Sequence, residues 1–219
     1  MSSRLIAAGV TAVTVFLTHY FPDRNDGSGA VAGGVFAFGA VALGLAAVAR
    51  VRPLPARSRA ERLRLMGLTL ALGVALGLGN LLANYGIASL DIAIYHQMIE
   101  QWSRFSVWSA LIAGPLVEEL AFRLVLMGGI AWLVSRFTDD RRMIYLVALA
   151  VSSLIFGVAH VLPSTRPTTG ILHATGVALK SSAAGLVLGW IFWRKGLPYA
   201  ITCHCTANAV HFVVAPILF

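Results

Sequence analysis

Long apolar runs separated by short polar or basic connectors make up most of the chain. Seven runs approach the ~20 residues that a helix needs to cross a bilayer. They cover 4–21, 30–49, 63–84, 105–135, 142–162, 171–193 and 197–218. The expected fold class is all-α: a polytopic membrane helix bundle of about seven transmembrane helices, forming one integral membrane domain over 1–219. Within it, 1–104 reads as three generic spans plus an interfacial segment, and 105–219 as the helices that carry chemistry. The interfacial segment, Ile87 to Arg104, mixes Asp91, His96, Glu100 and Trp102 with apolar residues, as an amphipathic helix at the membrane surface does. The fourth run is too long for one straight span, and Gly114-Pro115 is expected to break or kink it.

Composition supports the membrane reading. Only 12% of residues are charged, against about 25% in soluble domains, and mean hydropathy is +0.80. A formal charge of +8 raises the question of nucleic acid. The basic residues, however, flank apolar runs and form no face interleaved with aromatics, so they are expected to set topology instead. Arg50, Arg52, Arg57, Arg59, Arg62 and Arg64 crowd one connector. In a seven-span arrangement Arg4, Arg136, Arg141, Arg142, Arg194 and Lys195 fall on the same side. Only Arg24, Arg104 and Arg166 fall opposite, which puts the N-terminus in the cytoplasm and the C-terminus outside. The first run lacks a small-residue cleavage site and reads as a span, not a leader. Cys203 and Cys205 lie two apart on a predicted helix and cannot bond to each other without unwinding it; they read as small packing residues.

Polar groups inside apolar spans carry the chemistry. Each ionised group at bilayer depth costs ~3 kcal/mol or more, so such groups are usually functional. Glu119 and Arg123 are spaced i,i+4 and can pair on one helix face, while Glu118 points about 100° away. Phe156 and His160 share a face of the fifth run, and His204 and Asn208 share a face of the last, extended by His211. Taken together these residues supply a carboxylate base, an imidazole to share its proton and donors for a tetrahedral oxyanion. No serine or cysteine nucleophile motif and no HExxH sequence is present. Lys180 lines a polar cavity or snorkels to the surface, with both readings open, and His173 is expected at the interface.

In order, Glu118-Glu119-x-x-x-Arg123, Phe156-x-x-x-His160 and His204-x-x-x-Asn208 resemble the three motifs of the CPBP family. That family comprises CAAX prenyl endopeptidases and bacteriocin-processing enzymes, also called abortive-infection proteins. The likeness extends over 110–212 and includes Gly114-Pro115 and the run from Gly185 to Arg194. It implies a glutamic intramembrane endopeptidase in a bacterial or archaeal cell membrane. Glu118 would activate water with His160, while His204 and Asn208 would bind the oxyanion. Glu119, Arg123 and Phe156 would support them. The implied partners are the lipid bilayer and a membrane-anchored or lipidated protein or peptide substrate, with no nucleic acid.

No cofactor is expected, although Glu118, His160 and His204 are also residue types that bind zinc. A non-proteolytic scaffold or bacteriocin-immunity role, and a small transporter, are the alternatives; the chain shows no internal repeat of the kind transporters carry. Helices aligned at their ends would leave His160 near the outer end of its span and His204 near the inner end of its own. Convergence on Glu118 therefore requires tilt, stagger or a break at Gly114-Pro115.

Overall fold

A computed structural model describes residues 57–89, 106–164 and 171–218, together with Ala42. Every element among these residues is helical. The predicted spans 4–21 and 30–49 (Ala42 apart), and segment 87–104 beyond Ser89, lie outside the described residues, so the count of seven extends beyond them. Three of the described helices are long and apolar enough to cross a membrane. Many of their large apolar side chains, Leu82, Leu154 and Leu179 among them, face outward, as lipid-facing surface does.

Helix α1 spans Arg59–Ala88 and extends the predicted 63–84 at both ends. Hydropathy marks only the apolar middle, whereas capping sets the start. The Ser58 hydroxyl accepts from the Glu61 N–H and the Glu61 carboxylate accepts from the Ser58 N–H. Of the break or kink expected at Gly114-Pro115, no break is present: helix α2 runs continuously from 107 to 134. It alternates π-helical Ser109–Ala113, α-helical Gly114–Glu119, π-helical Leu120–Met127 and α-helical Gly128–Val134. Pro115 is accommodated because it stands at the second position of the Gly114–Glu119 segment, behind a π turn. More residues per turn also shorten the rod, which is how so long an apolar run stays continuous.

Helices α3 (Arg141–Ser164), α4 (Ile171–Lys195) and α5 (Leu197–Leu218) complete the bundle. Gly196, at φ 107°, closes α4: its N–H donates to the Phe192 carbonyl in a backbone conformation that favours glycine. The most extensive packing joins α3 to α4 and α1 to α5. Two glycine pairs at i,i+4 allow it. Gly73 and Gly77 lie against α5, where an added Cβ would come within 2.7 Å of the Cys203 and Ala207 carbonyl oxygens. Gly185 and Gly189 do the same for α4 against Ser153 and Leu149 of α3.

Among the described residues, several basic ones meet at one end of the bundle. Arg57 donates to the Lys195 and Arg194 carbonyls and stacks on Tyr199, while Tyr145 packs on Trp193 near the start of α3. The apolar core, including Met127, Ile144, Leu188, Ile191 and Ala200, fills the bundle near that end. Beyond it the packing opens into a cavity. His173, expected at the interface, is instead buried, because its helix packs that face inward.

Candidate active site

Glu119 and Arg123 form a buried clamp. Both are fully buried, and Arg123 Nε donates to Glu119 Oε2 at 3.1 Å, the pairing that the i,i+4 spacing predicts. The second oxygen, Oε1, takes the Nδ1–H of His204 at 2.9 Å. One carboxylate thus fixes residues on two helices. The terminal guanidinium nitrogens of Arg123 have no hydrogen-bond acceptor; the group lies 4.7 Å from the Phe156 ring centroid, a cation–π contact worth ~2 kcal/mol when desolvated.

Phe156 is the hub of the site. It is buried and touches Phe122, Arg123, His160 and His204 through ring contacts. Its carbonyl accepts the Nδ1–H of His160 at 2.8 Å. Since carbonyl and carboxylate oxygens only accept, both imidazoles commit Nδ1–H to these bonds and present Nε2 to the other side.

That other side is Glu118. Its Oε2 stands 3.6 Å from His160 Nε2 and 3.7 Å from His204 Nε2, and is buried with no hydrogen-bond partner. The gaps are too long for direct bonds and within reach through one water. Neighbouring glutamates thus face opposite ways, one sealed by Arg123 and His204, the other aimed at a pair of ring nitrogens. Stagger between the helices brings the histidines to one depth. His160 sits four residues from the end of α3, and His204 seven residues into α5.

Asn208 donates through Nδ2 to the Ala110 carbonyl at 2.9 Å. The local sequence explains why that carbonyl is open. In the π turn the Gly114 N–H bonds the Ser109 carbonyl, five residues back. Ala110 would next accept from residue 115, which is proline and has no N–H. Asn208 takes the vacancy and keeps its second amide hydrogen.

Glu118, Phe156, His160, His204 and Asn208 all line one cavity of ≈ 190 Å³. The sequence had pointed to these five and to His211, which lines it too. Lys180, for which cavity and snorkelling readings were both open, lines this cavity as well. The third predicted span, read as generic, also reaches the site: Asn80 and Asn84 of α1 form part of the wall. Their signal was present in the sequence as another polar i,i+4 pair inside an apolar run. Among the described residues, no three His, Cys, Asp or Glu side chains are grouped to hold a metal ion. Cys203 and Cys205 are free thiols.

Comparison with known proteins bears on this arrangement. Residues 100–210 match the family model described as type II CAAX prenyl endopeptidase Rce1-like. No curated protein and no solved structure matches the chain. The match covers about half of the chain and includes every motif residue named above.

Proposed function

This chain belongs to the Rce1-like family of type II CAAX prenyl endopeptidases, an intramembrane protease family, and from that premise we propose a glutamic endopeptidase that cleaves a membrane-anchored or lipidated substrate. The observation that carries the reading is the placement of Glu118 Oε2 between two Nε2 atoms at 3.6 and 3.7 Å in a cavity within apolar helices.

A water held between Glu118 Oε2 and His160 Nε2 attacks the scissile carbonyl carbon. Its O–H bond breaks as the C–O bond forms, and Glu118 takes the proton. His204, whose Nδ1–H is held by the Glu119 carboxylate, donates to the tetrahedral oxyanion through Nε2–H, which requires the ring to enter the step with a proton on both nitrogens. The second Asn208 amide hydrogen is the other donor. Collapse breaks the C–N bond, and the proton on Glu118 passes to the leaving amine. Asn208 is a poor metal ligand and already donates to Ala110, which favours donor chemistry at this position over metal binding.

The basic end of the bundle is assigned to the cytoplasm. Asn84 lies 25 residues into α1, ~38 Å along the helix from Arg59, so the cavity is set toward the opposite end. The test is incubation of liposome-reconstituted protein with a pool of N-terminally lipidated apolar peptides, with fragments read by mass spectrometry. Discrete cleavage by the unmodified protein and none by Glu118→Gln is the expected result. Equal cleavage by both, or none by either, refutes the reading.

A further inference from the structure

Lys180 is a cation that the hydrolytic chemistry does not use. It lies near the middle of α4, nine residues from Ile171, in a helix long and apolar enough to span a membrane. Among the described residues no carboxylate lies within ion-pair distance of it. It borders the catalytic cavity and also a second, more apolar cavity of ≈ 410 Å³; the two share Leu76, Asn80, Lys180 and Ala184.

Opposite Lys180, α1 contributes Asn80 and Asn84. Asn84 is only 3% exposed, and both polar atoms of its amide lack a hydrogen-bond partner. Buried amides are normally bonded, and one left open on a cavity wall marks a place where a ligand supplies the missing bonds. An ammonium and amide N–H groups together suit an anion. The adjoining apolar cavity suits a ligand with an apolar body.

We infer that Lys180, Asn80 and Asn84 form a carboxylate-binding subsite, which holds a carboxylate of the substrate beside Glu118 while an apolar side chain occupies the second cavity. The inference rests on the peptide-cleaving reading for its ligand. It names a specificity determinant that the hydrolytic mechanism does not require. A peptide offers carboxylates from two sources, its own C-terminus or an acidic side chain, and the subsite chemistry is common to both. Among the described residues lining the cavity, the one carboxylate is Glu118, a rival partner that Lys180 would then merely balance through space.

Binding rather than turnover separates these cases. Protein in nanodiscs is titrated calorimetrically with acetyl-leucyl-leucine, with its C-terminal amide, and with acetyl-glutamyl-leucinamide. At least one acid is expected to bind about tenfold or more tightly than the neutral amide, and which acid does so identifies the source. Lys180→Met should bring that ratio to about unity, and Lys180→Arg should keep it. Asn84→Asp, on a different helix, should also abolish the preference by placing a carboxylate opposite the cation. The inference is overturned if the unmodified protein shows no preference, or if Lys180→Met binds acid and amide in the unmodified ratio, as simple balancing of Glu118 predicts. It is equally overturned if Lys180→Met changes only the dependence on anionic phospholipid in the nanodisc. Acid preference without peptide cleavage would leave the subsite standing and remove the protease reading. Cleavage without acid preference would do the reverse.

Discussion

Two carboxylates adjacent in sequence occupy opposite environments. On one side, Glu119, Arg123 and His204 make a closed unit in which each Glu119 oxygen has a short bond. On the other, Glu118 meets two imidazoles across gaps and borders open volume. A carboxylate whose bonds are all made holds structure together; one left unbonded beside a cavity is available to take a proton. On the proposed reading the paired glutamates divide the work, with rigidity from one and reactivity from the other.

If that division holds, mutations on the two sides affect different observables. Glu118→Gln should abolish turnover while leaving the unfolding temperature unchanged, because the amide cannot accept a proton from water and no direct bond is lost. Arg123→Leu should do the converse. It leaves Glu119 buried beside His204 alone and should cost about 3–5 kcal/mol, read as a fall in midpoint on denaturation in detergent. A small loss there, with a large one for Glu118→Gln, would invert the comparison. Asn208→Ala removes one of the proposed oxyanion donors and should slow kcat by roughly 10²–10³-fold. The smallest effect expected is none at all: phenanthroline should leave peptide cleavage at full rate. Loss of activity with recovery on added zinc would instead make Glu118, His160 and His204 metal ligands.

Much of the site was legible because i,i+4 spacing inside apolar runs leaves few interpretations. Glu119 with Arg123 and Phe156 with His160 each form the contact their spacing implies. What spacing cannot carry is contact between distant segments. The bond from His204 to Glu119 joins residues 85 apart, and that from Asn208 to Ala110 joins residues 98 apart. The second also depends on a proline that removes a donor from a π turn, which local periodicity does not reveal. Gly114-Pro115 was read as a break or kink; the helix is continuous there, and one effect of the proline is to leave a carbonyl open. Asn80 and Asn84 had the same i,i+4 signature as the motif pairs. They stood out less because amides, unlike ions, are common glue between membrane helices.

The π turns of α2 have a consequence for insertions and deletions. Each carries i→i+5 bonding and shifts all that follows out of the angular phase of an α-helix. Through the segment Leu120–Met127, the stretch bearing Glu118 and Glu119 is set in a different rotational frame from Met127 and Ala131, which fill the core. Removing one residue from that segment would let the helix relax to ordinary pitch, with no polar group exposed and no apolar contact type lost. The π segment turns through nearly the angle that an α-helix covers with one residue fewer, so the glutamates and the core positions would keep their relative facing. A one-residue deletion in the π segment is therefore expected to keep the site's facing, whereas one between Met127 and Ala131, in the α-helical stretch, would turn the glutamates by about 100° relative to Ala131.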